Sequence, residues 1–100
     1  MGKKLAVGII EIQNYTNALV VCDLVSKNGN LQLIHNKNNL GGRLITLVFE
    51  GLLSDLQIAF DNAKNYFGKT KYLKVCEVIP NPTEELLHYL KKGDFNYEKE

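Results

Sequence analysis

The sequence predicts an α/β chain of the α+β type. Its order is ferredoxin-like βαββαβ, with a four-stranded antiparallel sheet, two main helices and a short C-terminal helix. Three observations predict it. Short β-rich apolar runs alternate with runs of helical period. The second and third strand-like runs are joined by a polar, glycine-containing connection, as in a hairpin. The last strand-like run stops at Pro80-Asn81-Pro82, because proline cannot serve a sheet ladder.

The elements follow in order. Leu5–Ile12 is apolar and β-rich and reads as a buried strand broken by Asn14. Asn14 or Thr16 can cap a helix running to about Ser26. Its Tyr15, Ala18, Leu19, Cys22 and Val25 recur at helical spacing, and Val20, Val21 and Leu24 are apolar too. A helix this apolar on more than one side is either deeply buried or also faces a neighbouring subunit. Lys27-Asn28-Gly29-Asn30 closes it, with Gly29 suited to a left-handed C-terminal position. Leu31–His35 is the second strand, with His35 at its surface end. The segment from Asn36 to Gly42 is the strongest loop signal in the chain, and Leu44–Glu50 is the third strand. Leu53, Leu56, Ala59, Phe60, Ala63, Tyr66 and Phe67 then mark an amphipathic helix. Ser54 and Gln57 are placed for a capping box, and Gly68 ends the helix. Tyr72–Ile79 is the fourth strand. Thr83–Lys92 is a helix with Leu86, Leu87 and Leu90 inward, capped by Asn81 or Thr83. The domain is expected over 3–92, with 93–100 a tail that frays. The expected core is Val7, Ile9, Leu19, Cys22, Leu33, Ile45, Leu47, Leu56, Phe60, Ala63, Val75 and Val78.

Composition limits function. One hundred residues make one domain, whose modest buried fraction would gain from an oligomer. Twelve Lys+Arg against eleven Asp+Glu give a net charge of +1 and no electrostatic case for nucleic acid. RNA-recognition domains share this element order but stack bases on aromatics of the central strands. Here the first strand has none and the third only Phe49. The apolar stretch from Leu5 to Ile10 meets Glu11 before it reaches the roughly 7–15 residues of a signal-peptide core. Ala6 stands where a myristoylation site wants Ser or Thr, and no run approaches the ~20 apolar residues of a membrane span. A soluble, intracellular chain without membrane contact is expected. Cys22 and Cys76 sit in apolar runs without metal-ligand spacing and read as packing residues in a reducing compartment.

Catalytic patterns are missing. There is no nucleophile elbow, HExxH, CxxC or dinucleotide glycine motif. Gly41-Gly42 lacks the GK[ST] of a phosphate loop and precedes a strand rather than a helix. Glu84-Glu85 occupies a first helical turn, where the dipole favours carboxylates. No enzyme, cofactor or metal is expected.

Read end to end, the sequence resembles the single-domain, hexamer-forming shell proteins of bacterial microcompartments. Ala6-Val7-Gly8-Ile9-Ile10-Glu11 is similar to the opening strand A-x-G-[hydrophobic]₂-E of that family. Asp23 and Lys27 match its D-x-x-x-K, and Leu40-Gly41-Gly42-Arg43-Leu44-Ile45-Thr46 resembles I-G-S-G-x-x-T. Gly51 matches the glycine that ends that strand, and Val78-Ile79-Pro80-Asn81-Pro82 resembles V-I-P-R-P. The order and spacing of these pieces over about 5–90 carry the likeness, with one extra residue before the glycine loop.

The resemblance implies a homohexamer that tiles with itself and other shell proteins in the cytoplasm around encapsulated enzymes. It implies a central pore for small metabolites lined by Leu40, Gly41, Gly42 and Arg43, and a hexamer edge at Lys27, Asn30 and Asn81. Departures are specific: Asn81 replaces an arginine, Thr83 a histidine, Arg43 the second pore glycine, and Asn36–Asn39 enlarge the loop. Six Arg43 side chains either approach the axis and attract anions or turn sideways to a neighbouring subunit. The alternative function is a small ferredoxin-like regulatory or ligand-binding domain, assembled as a dimer or trimer.

Overall fold

The computed structural model describes residues 5–27 and 30–92. Gly29 and the tail over 93–100 lie outside the described residues. Strands β1 (Ala6–Gln13), β2 (Gln32–Asn39), β3 (Leu44–Gly51) and β4 (Leu73–Ile79) form one antiparallel sheet in the order β2-β3-β1-β4. Helices α1 (Tyr15–Ser26) and α2 (Leu53–Phe67) cover one face, and α3 (Glu84–Lys92) lies on the other. This is the expected α+β order.

Side-chain alternation assigns the faces. Ile10 and Ile12 of β1 join Ile45, Leu47 and Phe49 of β3 beneath α1 and α2. Val7 and Val48 point the other way and receive Leu90 of α3. The larger core centres on Phe60, which is 1% exposed and meets Phe49 edge-on at 6.1 Å. Phe60 lies directly on the backbone of β1. A Cβ added to Gly8 would stand 2.3 Å from its ring, so the glycine of the opening strand is a packing requirement. Cys76 is buried against Phe60, its Sγ 3.8 Å from the Phe60 carbonyl oxygen, and burial pushes its thiol up to about 11. Burial pushes the half-buried Cys22 thiol up as well.

Several expectations are corrected. Asn36–Asn39 is strand, not loop. These residues pair with Leu47, Thr46, Ile45 and Leu44, and the edge position lets Asn36 and Asn38 reach water, so ladder hydrogen bonds override weak asparagine β-propensity. The extra length therefore extends the hairpin arms, and the connection shrinks to the tight turn Leu40–Gly42. His35 is mid-strand and half-buried opposite Val48. The register shift between Leu33 and His35 accompanies Leu33 remaining 39% exposed rather than in the core. Leu19 is 51% exposed on the outer side of α1. Ile9, Cys22, Val75 and Val78 are half-buried, whereas Val7, Ile45, Leu47, Leu56, Phe60 and Ala63 are buried.

Capping also differs. The residue before α2 is Leu52, with no side-chain cap, so Ser54 and Gln57 form no capping box; Ser54 already lies inside the first turn. Asn14 precedes α1 with φ 75° and caps nothing with its side chain. Asn17 Nδ2 instead donates to the Gln13 carbonyl at 3.1 Å. Gly68 ends α2 in a right-handed conformation. Thr83 does cap α3, its Oγ1 accepting from Leu86 N–H at 3.0 Å.

Candidate functional site

The hairpin tip is built by an unusual run of backbone angles. Leu40, Gly41 and Gly42 have φ of 56°, 65° and 89°. Glycine tolerates this region; a leucine there costs roughly 1–2 kcal/mol. Nothing lies within 4 Å of the Cβ position of either glycine, and Leu40 is 65% exposed, so the tip projects freely. Arg43 folds back on it. Its backbone N–H donates to the Leu40 carbonyl at 3.3 Å and its side-chain Nε donates to the same oxygen at 3.4 Å. The Arg43 carbonyl accepts from Asn14 N–H at 3.1 Å, which ties the tip to the start of α1.

The second set of residues lies at the opposite end of the sheet. β3 runs from Leu44 beside the tip to Gly51, eight residues or roughly 24 Å of strand. The Asn30 carbonyl oxygen is 3.2 Å from where a Gly51 Cβ would stand. Gly51 pairs with Ala6, and Val7 with Ile79, so Asn81 follows β4 at that same end. Helix α1 starts at the tip and runs back, which brings Lys27 to its far terminus. Lys27 Nζ is 3.7 Å from Asp23 Oδ2, and both side chains are 70% exposed. Asn81 is exposed and, with Leu5, Pro82, Thr83 and Leu87, lines a shallow cavity of about 380 Å³. Leu40, Gly41, Gly42 and Arg43 thus form one cluster, and Lys27, Asn30 and Asn81 share the other end.

A family model described as the BMC domain matches residues 6–82. The chain belongs to the BMC domain family. Among the relatives that this BMC chain resembles is the bacterial microcompartment shell protein PduA of Citrobacter freundii. It is 26% identical over 88 residues, with 88% of this chain and 94% of the relative covered. PduA of Salmonella typhimurium (strain LT2) is also 26% identical over 88 residues, covering 88% of this chain and 93% of the relative. A solved structure of a microcompartments protein from Desulfitobacterium hafniense DCB superimposes with a TM-score of 0.73 at 16% identity. That match covers 90% of this chain and 48% of the other, so this BMC chain spans about half its length; the likeness is one of fold. The family model ends at the Pro80-Asn81-Pro82 stop and contains both candidate segments.

A part-buried polar chain that no sequence motif marks crosses three strands of the sheet. Asn39 Nδ2 donates to Thr46 Oγ1 at 3.3 Å, and Thr46 Oγ1 donates to Glu11 Oε2 at 3.4 Å. Thr46 is 3% exposed. The available signal was a lone carboxylate and a lone hydroxyl in two apolar strand runs. Only the register, which pairs Glu11 with Thr46, joins them. Among the described residues no group of three His, Cys, Asp or Glu is placed to hold a metal, and no helix is long and apolar enough to cross a membrane.

Proposed function

We propose that the chain is a structural, non-catalytic shell subunit, one shell domain over 3–92, which assembles as a cyclic hexamer and tiles into a bacterial microcompartment shell in the cytoplasm. The observation that carries this reading is the separation of the two segments along the sheet. A wedge-shaped subunit of a ring needs one end narrow and open in backbone, and the other end free for outward contact. The tip supplies the first: two glycines with positive φ and no neighbours within 4 Å of their Cβ positions let backbones approach an axis. Lys27, Asn30 and Asn81 supply the second. The family match and the PduA relatives support the same reading. Other shell proteins and an encapsulated enzyme cargo are its partners.

In the ring, Leu40, Gly41, Gly42 and Arg43 line a passage for small metabolites. Arg43 makes no ion pair among the described residues and holds an exposed position beside the tip. Six guanidinium groups near one axis give an anion-attracting passage. Solution mass tests the assembly: six chains of 11.3 kDa make about 68 kDa in closed cyclic symmetry. A stable monomer, dimer or trimer at micromolar concentration overturns it and favours a small regulatory or ligand-binding domain.

A further inference from the structure

The sheet face under α3 holds a cavity of about 390 Å³ that neither the tip nor the edge segment uses. Ile9, Val75, Leu86 and Tyr89 make its lining largely apolar, and Glu11 and Thr46 form its polar end. The register explains the composition. Ile10 and Ile12 of β1 turn to the α1–α2 side, so Ile9 and Glu11 turn to the α3 side. There Glu11 stands between its strand partners Thr46 and Val75.

The hydrogen-bond chain fixes the polarity of that end. Thr46 Oγ1 accepts from Asn39, so its single proton goes to Glu11 Oε2. The hydroxyl therefore has no donor left for an incoming anion. Glu11 is half-buried, and among the described residues it has no salt-bridge partner. A carboxylate can accept about four hydrogen bonds, and among the described residues Thr46 donates one of them to Glu11. A mostly apolar cavity at the small end of the ligand range, with one carboxylate that has no ion-pair partner among the described residues, is complementary to an apolar body ending in a cation.

We propose that this cavity binds a small molecule carrying an ammonium head on a short apolar body, with Glu11 as its counter-ion. The site is built within one chain and stands independently of the ring assembly. The test uses the purified full chain and n-butylammonium as probe, with n-butyrate and n-butanol as controls, followed through the Thr46 methyl and Tyr89 ring NMR signals. Butylammonium shifts both signals saturably, and butyrate does not. Glu11→Gln keeps the shape and removes the charge, so it weakens binding by about tenfold or more. Val75→Phe keeps the carboxylate and fills the cavity, and abolishes the response; thermal melting of each variant confirms that it folds. No saturable shift in the parent chain, an undiminished shift in Glu11→Gln, or an equal response to butyrate overturns the site. Solution mass is read on the same samples. A hexamer that takes no butylammonium removes the ligand site alone, and binding by a chain that stays monomeric removes the ring alone.

Discussion

Gly8 and Phe60 should be energetically inseparable, and a double-mutant cycle measures it. In the structure, a Cβ on Gly8 would stand 2.3 Å from Phe60 Cζ and 2.5 Å from Cε2. The ring is 1% exposed and edge-on to Phe49, so it has nowhere to retreat. Gly8→Ala therefore overpacks the core, at a cost of ~1–3 kcal/mol. Phe60→Ala leaves a cavity and costs ~3–5 kcal/mol. At ~4–8 °C per kcal/mol for a domain this size, the second change alone lowers the melting midpoint by roughly 12 °C or more. In the double variant the ring is gone, and the next atom near the new methyl is Leu56 Cδ2 at 3.1 Å, the end of a side chain. Alanine also suits a strand interior better than glycine. Gly8→Ala should then be neutral or slightly stabilising in the Phe60→Ala background, a coupling of about 1–3 kcal/mol. Urea melts of the four proteins give the cycle. Additivity within ~0.5 kcal/mol would refute the packing argument.

Four further substitutions have expected outcomes. Leu40→Gly relieves a positive-φ leucine that makes little contact, so it raises stability by up to ~1 kcal/mol, or leaves it level if the looser unfolded chain offsets the gain; a fall would contradict the backbone account. Cys76 ionises at about 11 when folded, against an ordinary 9.0, so its contribution is complete below pH ~9 and declines as pH rises toward ~11. Cys76→Ala should flatten that alkaline limb in melts run from pH 8 to 11. At the proposed hexamer edge, Asn81 lacks the planar five-donor fork of arginine, so the protein should form hexamers readily but tile poorly alone. Asn81→Arg should restore flat sheets in electron micrographs. Lys27→Ala should change monomer stability by less than ~0.5 kcal/mol, because its pair with Asp23 is 70% exposed on both sides, yet weaken tiling. Extended sheets of the parent protein that survive Lys27→Ala would remove both edge roles.

Much of this fold was legible because apolar period and punctuation agreed. The α2 stripe from Leu56 to Phe67 and the proline stop after β4 each carried two independent signals. The errors share a cause. Asn36–Asn39 reads as loop because composition reports local preference, while its strand state is set by β3, whose residues supply the partners. Leu19 and Leu33 read as core because hydrophobicity does not say whether a face meets another element. The capping box does not form because α2 begins at Leu53, one residue before Ser54, so Leu52 stands at the cap position and Ser54 lies inside the first turn. The candidate segments were placed by likeness of motif. Their position at opposite ends of the sheet, and the Asn39–Thr46–Glu11 chain, depend on register, which no single strand encodes.

The exposed apolar residues bear on why this domain would assemble. The α1–α2 side holds a deep core around Phe60 and Ile10, whereas the apolar cluster on the α3 side, among the described residues, has just three buried members, Val7, Val48 and Leu90. A 100-residue chain has limited apolar surface to bury, and this one leaves Tyr15 58% and Leu19 51% exposed, four residues apart on α1. At that spacing the two side chains share one helix face. Burying them cannot help the lone subunit, because Ala18, Val21 and Val25 already fill the space beneath α1. They can contribute only against another surface, at ~25 cal/mol for each Å² of apolar area removed from water. Replacing both with charged residues should therefore leave the monomer's melting midpoint nearly unchanged and shift the solution mass downward. A loss of folding instead would show that α1 needs this face for itself.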